Sequence, residues 1–230
     1  MNVAQTNLQL YNQLREARWS DADLTTVRAA YDVSQKLFAN AYRPNQKPFV
    51  CHLIGTASVL AHWGERPDMV VAGMLHSAYL YGSFGDKLGM TPEKRQYLRA
   101  IVGADIETLV HNYSSMKGVN PLTSDDRDYL VLILADLYDE MLDQGAAYAP
   151  AKPLPELCDD ETVTKIIDAA TRTISAEVGQ QFEKAIRDLE QASPPDFLTT
   201  DATSFSRIKT GIPGFSKKRK RSRWRRLLQK

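Results

Sequence analysis

Between Asp125 and Gln144 the apolar residues Tyr129, Leu130, Ile133, Leu134, Leu137, Tyr138 and Met141 recur every three or four positions. That spacing gathers them on one broad helical face, which has to be buried against other helices. Helical periodicity runs through most of the chain, and no Val/Ile/Thr alternation bounded by Asn-Gly or Asp-Gly turns interrupts it. The pattern predicts an all-α fold. With 230 residues, 43% apolar and 25% charged, the chain suits one medium-sized globular domain with extensions and excludes a fibrous or wholly disordered protein.

Gly and Pro punctuate the helices. Leu8, Leu10, Tyr11 and Leu14 mark a first helix, and Ser20 with Asp23 resembles a capping box that opens a second, to about Asn40. The segment from Ala41 to Pro48 holds two prolines and reads as a loop. A third helix is expected from about Phe49 to Trp63, stopped by Gly64, and Pro67 suits the first turn of a fourth. Pro92 opens another in the same way, and Gly103 separates it from a helix reaching about Met116. Residues 117–124 form a linker, Gly145 stops the Asp125 to Gln144 helix, and residues 145–155 are a proline-rich loop. One helix from about Asp159 to Gln191 follows, then a short one near Asp196 to Ile208. The expected organisation is a helical domain over 3–144, a helical extension over 145–210 and a disordered basic tail over 211–230.

Charge is distributed very unevenly. Nine of the 29 basic residues and none of the 28 acidic ones fall in 217–230, so the rest of the chain carries 20 basic against 28 acidic residues. Body and tail must have different partners. Placed on a helix, Trp224, Leu227 and Leu228 share one face beside the basic run, which suits an anionic membrane surface. An acidic protein, or nucleic acid with Trp224 stacked on a base, fits the same composition, as does a solubilising tail folded against the acidic body. Cys51 and Cys158 belong to no CxxC or Cys/His zinc pattern, and the N-terminus lacks the basic start and apolar run of a signal peptide. No apolar stretch is long enough to span a bilayer. A cytoplasmic protein is expected, peripheral to the membrane if the tail docks there.

Two of the four histidines, His52 and His76, lie within apolar runs on successive predicted helices. An imidazole at such an interface needs a hydrogen-bond partner or a metal, so satisfied core histidines and ligands are both open readings. Asp136 adds a carboxylate inside the apolar run YLVLILADLYDEM, a position that asks for a metal, an arginine or a solvent-filled pocket unless it lies at the helix rim. His111, Asn112 and Tyr113, with Tyr79, Tyr81 and Tyr129, are candidates for a pocket lining, but aromatic residues at helical spacing usually pack a core. His62 beside Trp63 reads as a helix-end residue. Ser77 next to His76 has no identifiable third group for nucleophilic catalysis, and no phosphate-binding glycine loop occurs.

Taken together, Arg43 in a proline-containing loop, Pro48-Phe49-Val50-Cys51-His52, Ala72-Gly73-Met74-Leu75-His76 and Leu134-Ala135-Asp136 resemble the HD metal-dependent phosphohydrolase superfamily. The nearest branch is that of the alarmone (guanosine tetraphosphate) hydrolase domains, over about residues 28–144. The resemblance implies an HD-like helical bundle with His52, His76 and Asp136 as ligands of a divalent metal, usually manganese, and Arg43 near a nucleotide base. Two departures stand out. The His-Asp pair of the family is His76-Ser77 here, and its later Glu-Asp pair falls at Leu80-Tyr81, so metal charge and catalytic acids are both depleted.

The expectation is a degenerate HD-like protein with no catalytic residue and a weakly bound or absent metal. It would bind a small phosphorylated ligand, contacted by Arg43 and Ser77, as a sensor or accessory factor. The alternative is a metal-dependent phosphohydrolase in which another acid replaces the missing one. Asp86, Asp125, Asp126, Asp128, Asp139 and Glu140 are the candidates for that acid.

Overall fold

Tyr129 to Asp139 is buried without a break, so the helix expected to present one apolar face is enclosed on all sides. The computed structural model describes residues 1–43, 45, 47–86, 89–116, 122, 124–142, 144 and 160–193. Helices run in the order α1 (Asn7–Glu16), α2 (Asp21–Phe38), α3 (Phe49–His62), α4 (Pro67–Leu75), α5 (Ala78–Tyr81), α6 (Pro92–Val102), α7 (Ala104–Ser115), α8 (Arg127–Leu142), α9 (Asp160–Thr173) and α10 (Ala176–Glu190). The fold is all-α. Among the described residues the extended backbone is limited to one isolated bridge, Tyr42 with Pro48, and no helix is long and apolar enough to cross a membrane.

The helix starts follow local chemistry. Thr6 makes a full capping box with Gln9, Ser20 caps the backbone of Asp23, Thr91 caps Lys94, and Pro67 and Pro92 occupy first turns. Gly103, at φ 92°, adopts a backbone conformation that side chains disfavour, and it makes the break between α6 and α7.

Helix α3 lies at the centre, packed on α4 and α8. Helices α2 and α7 cover α4, α6 covers α7, and α1 lies across α3. Close approach of α3 and α4 depends on Gly73, where a β-carbon would stand 2.4 Å from Leu60 Cδ1. The α9–α10 hairpin packs on α8, and Trp63 meets both Tyr138 (5.7 Å) and Phe182 (6.0 Å between ring centroids). The described part of the extension thus shares the core of the first domain.

Two expectations need correction. The single helix from about Asp159 to Gln191 is a hairpin broken at Ile174 and Ser175, because the Ser175 hydroxyl accepts from the backbone of Val178 and starts a new helix. The helix carrying His76 also ends earlier than its sequence suggests: α4 stops at Leu75, and His76 and Ser77 form the turn into the short α5, which Gly82 ends. The loop 145–155, the helix near 196–208, the tail 211–230 and Cys158 lie outside the described residues.

Candidate metal centre

Four segments meet at one buried point. The loop before α3 is closed by Phe49 N–H donating to Ala41 O (2.8 Å) and Arg43 N–H donating to Lys47 O (2.9 Å), and it carries Arg43 and Lys47. The first turn of α3 supplies His52, and the end of α4 supplies His76. On α8, Asp136, Asp139 and Glu140 share one face because they are three and four residues apart.

His52 and His76 are fully buried and Asp136 is 2% exposed, which settles the choice left open at that position against the helix rim. His52 Nε2 lies 3.0 Å from Asp136 Oδ1 and His76 Nε2 lies 3.7 Å from the same oxygen. The rear atom of each side chain is engaged separately. His52 Nδ1 is 2.8 Å from Asp139 Oδ2, His76 Nδ1 is 2.6 Å from Gly73 O, and Tyr113 Oη donates to Asp136 Oδ2 (2.8 Å). A carboxylate and a backbone carbonyl behind the two Nδ1 atoms place hydrogens there and direct both Nε2 atoms to the centre. Asp139 is pinned in turn by Lys47 Nζ (2.9 and 3.0 Å). It needs Gly55, where a β-carbon would fall 1.9 Å from Asp139 Oδ1.

Arg43 closes the open side. Its Nη1 is 3.1 Å from His52 Nε2 and 3.7 Å from Asp136 Oδ1, its Nη2 is hydrogen-bonded to Glu140, and its guanidinium lies over the Phe49 ring. Burial and Arg43 press the pKa of His52 down, but hydrogen bonds to Asp136 and Asp139 outweigh them and leave it raised. Burial acts upward on Asp136, and the hydrogen bond from His52 with the charges of His76 and Arg43 overcomes it, holding the carboxyl well below the usual range. Asp139 is lowered against its burial by His52 and Lys47. Two fixed positive side chains, Arg43 and Lys47, face three carboxylates, Asp136, Asp139 and Glu140.

The donor set fits a metal. His52, His76 and Asp136 each offer one ligand atom, all within 4.8 Å of one another, and two imidazole nitrogens with one carboxylate oxygen suit borderline divalent cations. Ser77 is buried beside them, its hydroxyl without a hydrogen-bond partner among the described residues. A family model matches this part of the chain. It is the family described as Domain of unknown function (DUF6817), over residues 34–117. That stretch holds Arg43, His52, His76, Ser77 and Tyr113 but ends before Asp136, so it spans less than half of the chain. The curated proteins contain no match.

The other candidates separate clearly. Of the six acids, Asp139 and Glu140 reach the centre. Asp86 pairs with Lys94, Asp128 with Arg66, Asp126 accepts from the Tyr129 backbone, and Asp125 lines a surface hollow with Arg127 and Arg172. His111 is half-buried beside Asn112, and His62 is exposed and bonded to Asn2 O. Tyr79 and Tyr129 are core residues, whereas Tyr81 is only half-buried. Sequence reasoning passed over Lys47 and Gly55 altogether, and it gave Tyr113 no particular partner. The one local signal was the repetition of acids after Asp136 on the same helical face.

Proposed function

We propose that this chain is a degenerate HD-like protein in which His52, His76 and Asp136 hold one divalent cation, manganese by the family resemblance, and through it a small phosphorylated ligand without hydrolysing it. The observation that carries the reading is the convergence of the two Nε2 atoms and Asp136 Oδ1, each backed by its own hydrogen-bond partner. A cation there supplies positive charge for phosphoryl oxygens. The chain's own residues do the rest: Asp139 and Gly73 O orient the imidazoles, Tyr113 fixes Asp136, and Arg43 and Lys47 add positive charge at the edge where the centre nears solvent.

Weak or absent hydrolysis follows from what surrounds the ligands. Ser77 brings a neutral hydroxyl, and Leu80 and Tyr81 pack against the apolar core. Asp139 lies on the Nδ1 side of His52, away from the converging atoms. One observation favours the hydrolase alternative: Glu140, bonded to Arg43, sits one helical turn beyond Asp136 at the same centre.

Metal content tests both readings, and hydrolysis of a bound ligand decides between them. Untagged protein incubated with Mn²⁺ is expected to retain about one metal per chain, and the His52→Ala/His76→Ala variant none. The loaded protein should bind a nucleoside diphosphate and leave it intact. Hydrolysis at enzymatic rates would select the alternative, and no metal even in excess Mn²⁺ would overturn both.

A further inference from the structure

The positive charge of Arg43 rests on the very atoms that would ligate a metal. Nη1 lies 3.1 Å from His52 Nε2 and 3.7 Å from Asp136 Oδ1. With Asp139 behind Nδ1, His52 has only Nε2 to offer a metal, and the guanidinium nitrogen 3.1 Å from it stands in the position a metal needs. The guanidinium is also firmly held. Glu140 takes Nη2, Phe49 lies beneath the plane, and the Arg43 backbone is tied to Lys47 O.

We infer that the Arg43 guanidinium and a divalent cation compete for one position, with Glu140 as the anchor that keeps the guanidinium there. The inference rests on the metal reading above and adds regulation to it: this chain carries its own occupant for the cation position. Metal entry requires Arg43 to give up His52 Nε2 and swing out, and whatever draws Arg43 or Glu140 away, an anionic ligand included, favours metal entry. Arg43 is thus a positioning residue whose effect is read in metal affinity.

Like-charge repulsion alone would also make Arg43 oppose a metal, so the test must hold net charge constant. The Arg43→Gln/Glu140→Gln variant removes one charge of each sign. Titrated with Mn²⁺ in a calorimeter, it is expected to bind roughly tenfold more tightly than the native chain, the scale on which neighbours of metal ligands act. Arg43→Lys keeps the charge but loses the planar fork, and it should also bind more tightly than the native chain. A second readout needs no substitution in the protein being tested. The side-chain Nε–H resonance of Arg43, identified by its loss in Arg43→Lys, should shift or broaden when Zn²⁺ is added to the native chain.

Equal affinities in the native chain and both variants, with that resonance unmoved by a metal that binds, would overturn the competition and leave the metal reading intact. Absence of metal binding in every form would overturn both. Metal binding by the variants with none by the native chain would be the strongest support for the competition.

Discussion

Glu107 and Asp136 are both buried carboxylates, and their surroundings differ in kind. Glu107 receives four donors: Tyr79 Oη (2.8 Å) and Arg95 Nε (2.7 Å) on Oε1, and Arg95 Nη2 (2.9 Å) and Arg99 Nε (2.7 Å) on Oε2. Every lone pair has a proton facing it, and the cluster is complete as it stands. Around Asp136, Tyr113 Oη donates to Oδ2, and Oδ1 is shared among His52 Nε2 (3.0 Å), His76 Nε2 (3.7 Å) and Arg43 Nη1 (3.7 Å). Two imidazole nitrogens and a carboxylate oxygen that could ligate a metal converge there, and Arg43 stands among them. Burial alone does not separate a structural charge from a site. The convergence of ligand atoms on one point does.

The comparison breaks first at Glu107. Substituting Ala there leaves Tyr79 Oη and two arginines without their acceptor, at about 3 kcal/mol of stability, the low end for a broken buried pair because Arg95 and Arg99 reach solvent. Urea unfolding measures that loss, and Mn²⁺ affinity should not change. Asp139→Asn behaves in the opposite manner, with Mn²⁺ affinity falling by roughly 10- to 100-fold because His52 loses the carboxylate that orients it. Gly55→Ala should lower it in the same direction by pushing Asp139 off α3. If Asp139→Asn left affinity unchanged, the two clusters would be alike after all.

Ser77→Asp sharpens the contrast. A carboxylate beside His76 should raise Mn²⁺ affinity by roughly tenfold while destabilising the metal-free protein, since it adds a buried charge. Paired unfolding curves with and without Mn²⁺ should therefore separate further than those of the native chain.

The smallest effect is one of pH. The lowered pKa values of Asp136 and Asp139 contribute stability that is present above the ordinary carboxylate value of 3.8 and is lost as pH falls through the depressed ones. His52, raised above 6.5, contributes stability that is present below that value and is lost as pH rises through its folded pKa. Metal-free protein should be most stable between these limits. Saturating Mn²⁺ should remove the alkaline decline, because a ligating His52 no longer holds the Nε2 proton. Thermal melts across pH, with and without the metal, would show a persisting alkaline decline if His52 is not a ligand.

Most of the architecture was legible in the sequence because helix signals are local. Apolar spacing, Ser20 as a cap, Pro67 and Pro92 in first turns and Gly103 as a break all act within a few residues. The break at Ser175 escapes a local reading for a related reason: a serine within a helical pattern becomes a cap only when the following helix has something to fold back on, here α8 and α9. His52, His76 and Asp136 stood out as polar residues in apolar runs, which is again a local signal.

What tertiary structure alone decided was the company those residues keep. Lys47 and Asp139 are 92 positions apart, Arg43 and Glu140 97. No periodicity encodes such a pairing, since it depends on how α3, α4 and α8 are stacked and on the space that Gly55 leaves. The sequence determined that an acid and two histidines would lie within apolar helical runs, because hydrophobic patterning is local. Only packing decided that their ligand atoms converge and that an arginine stands at the point of convergence, because direction and distance between side chains are properties of the assembled helices.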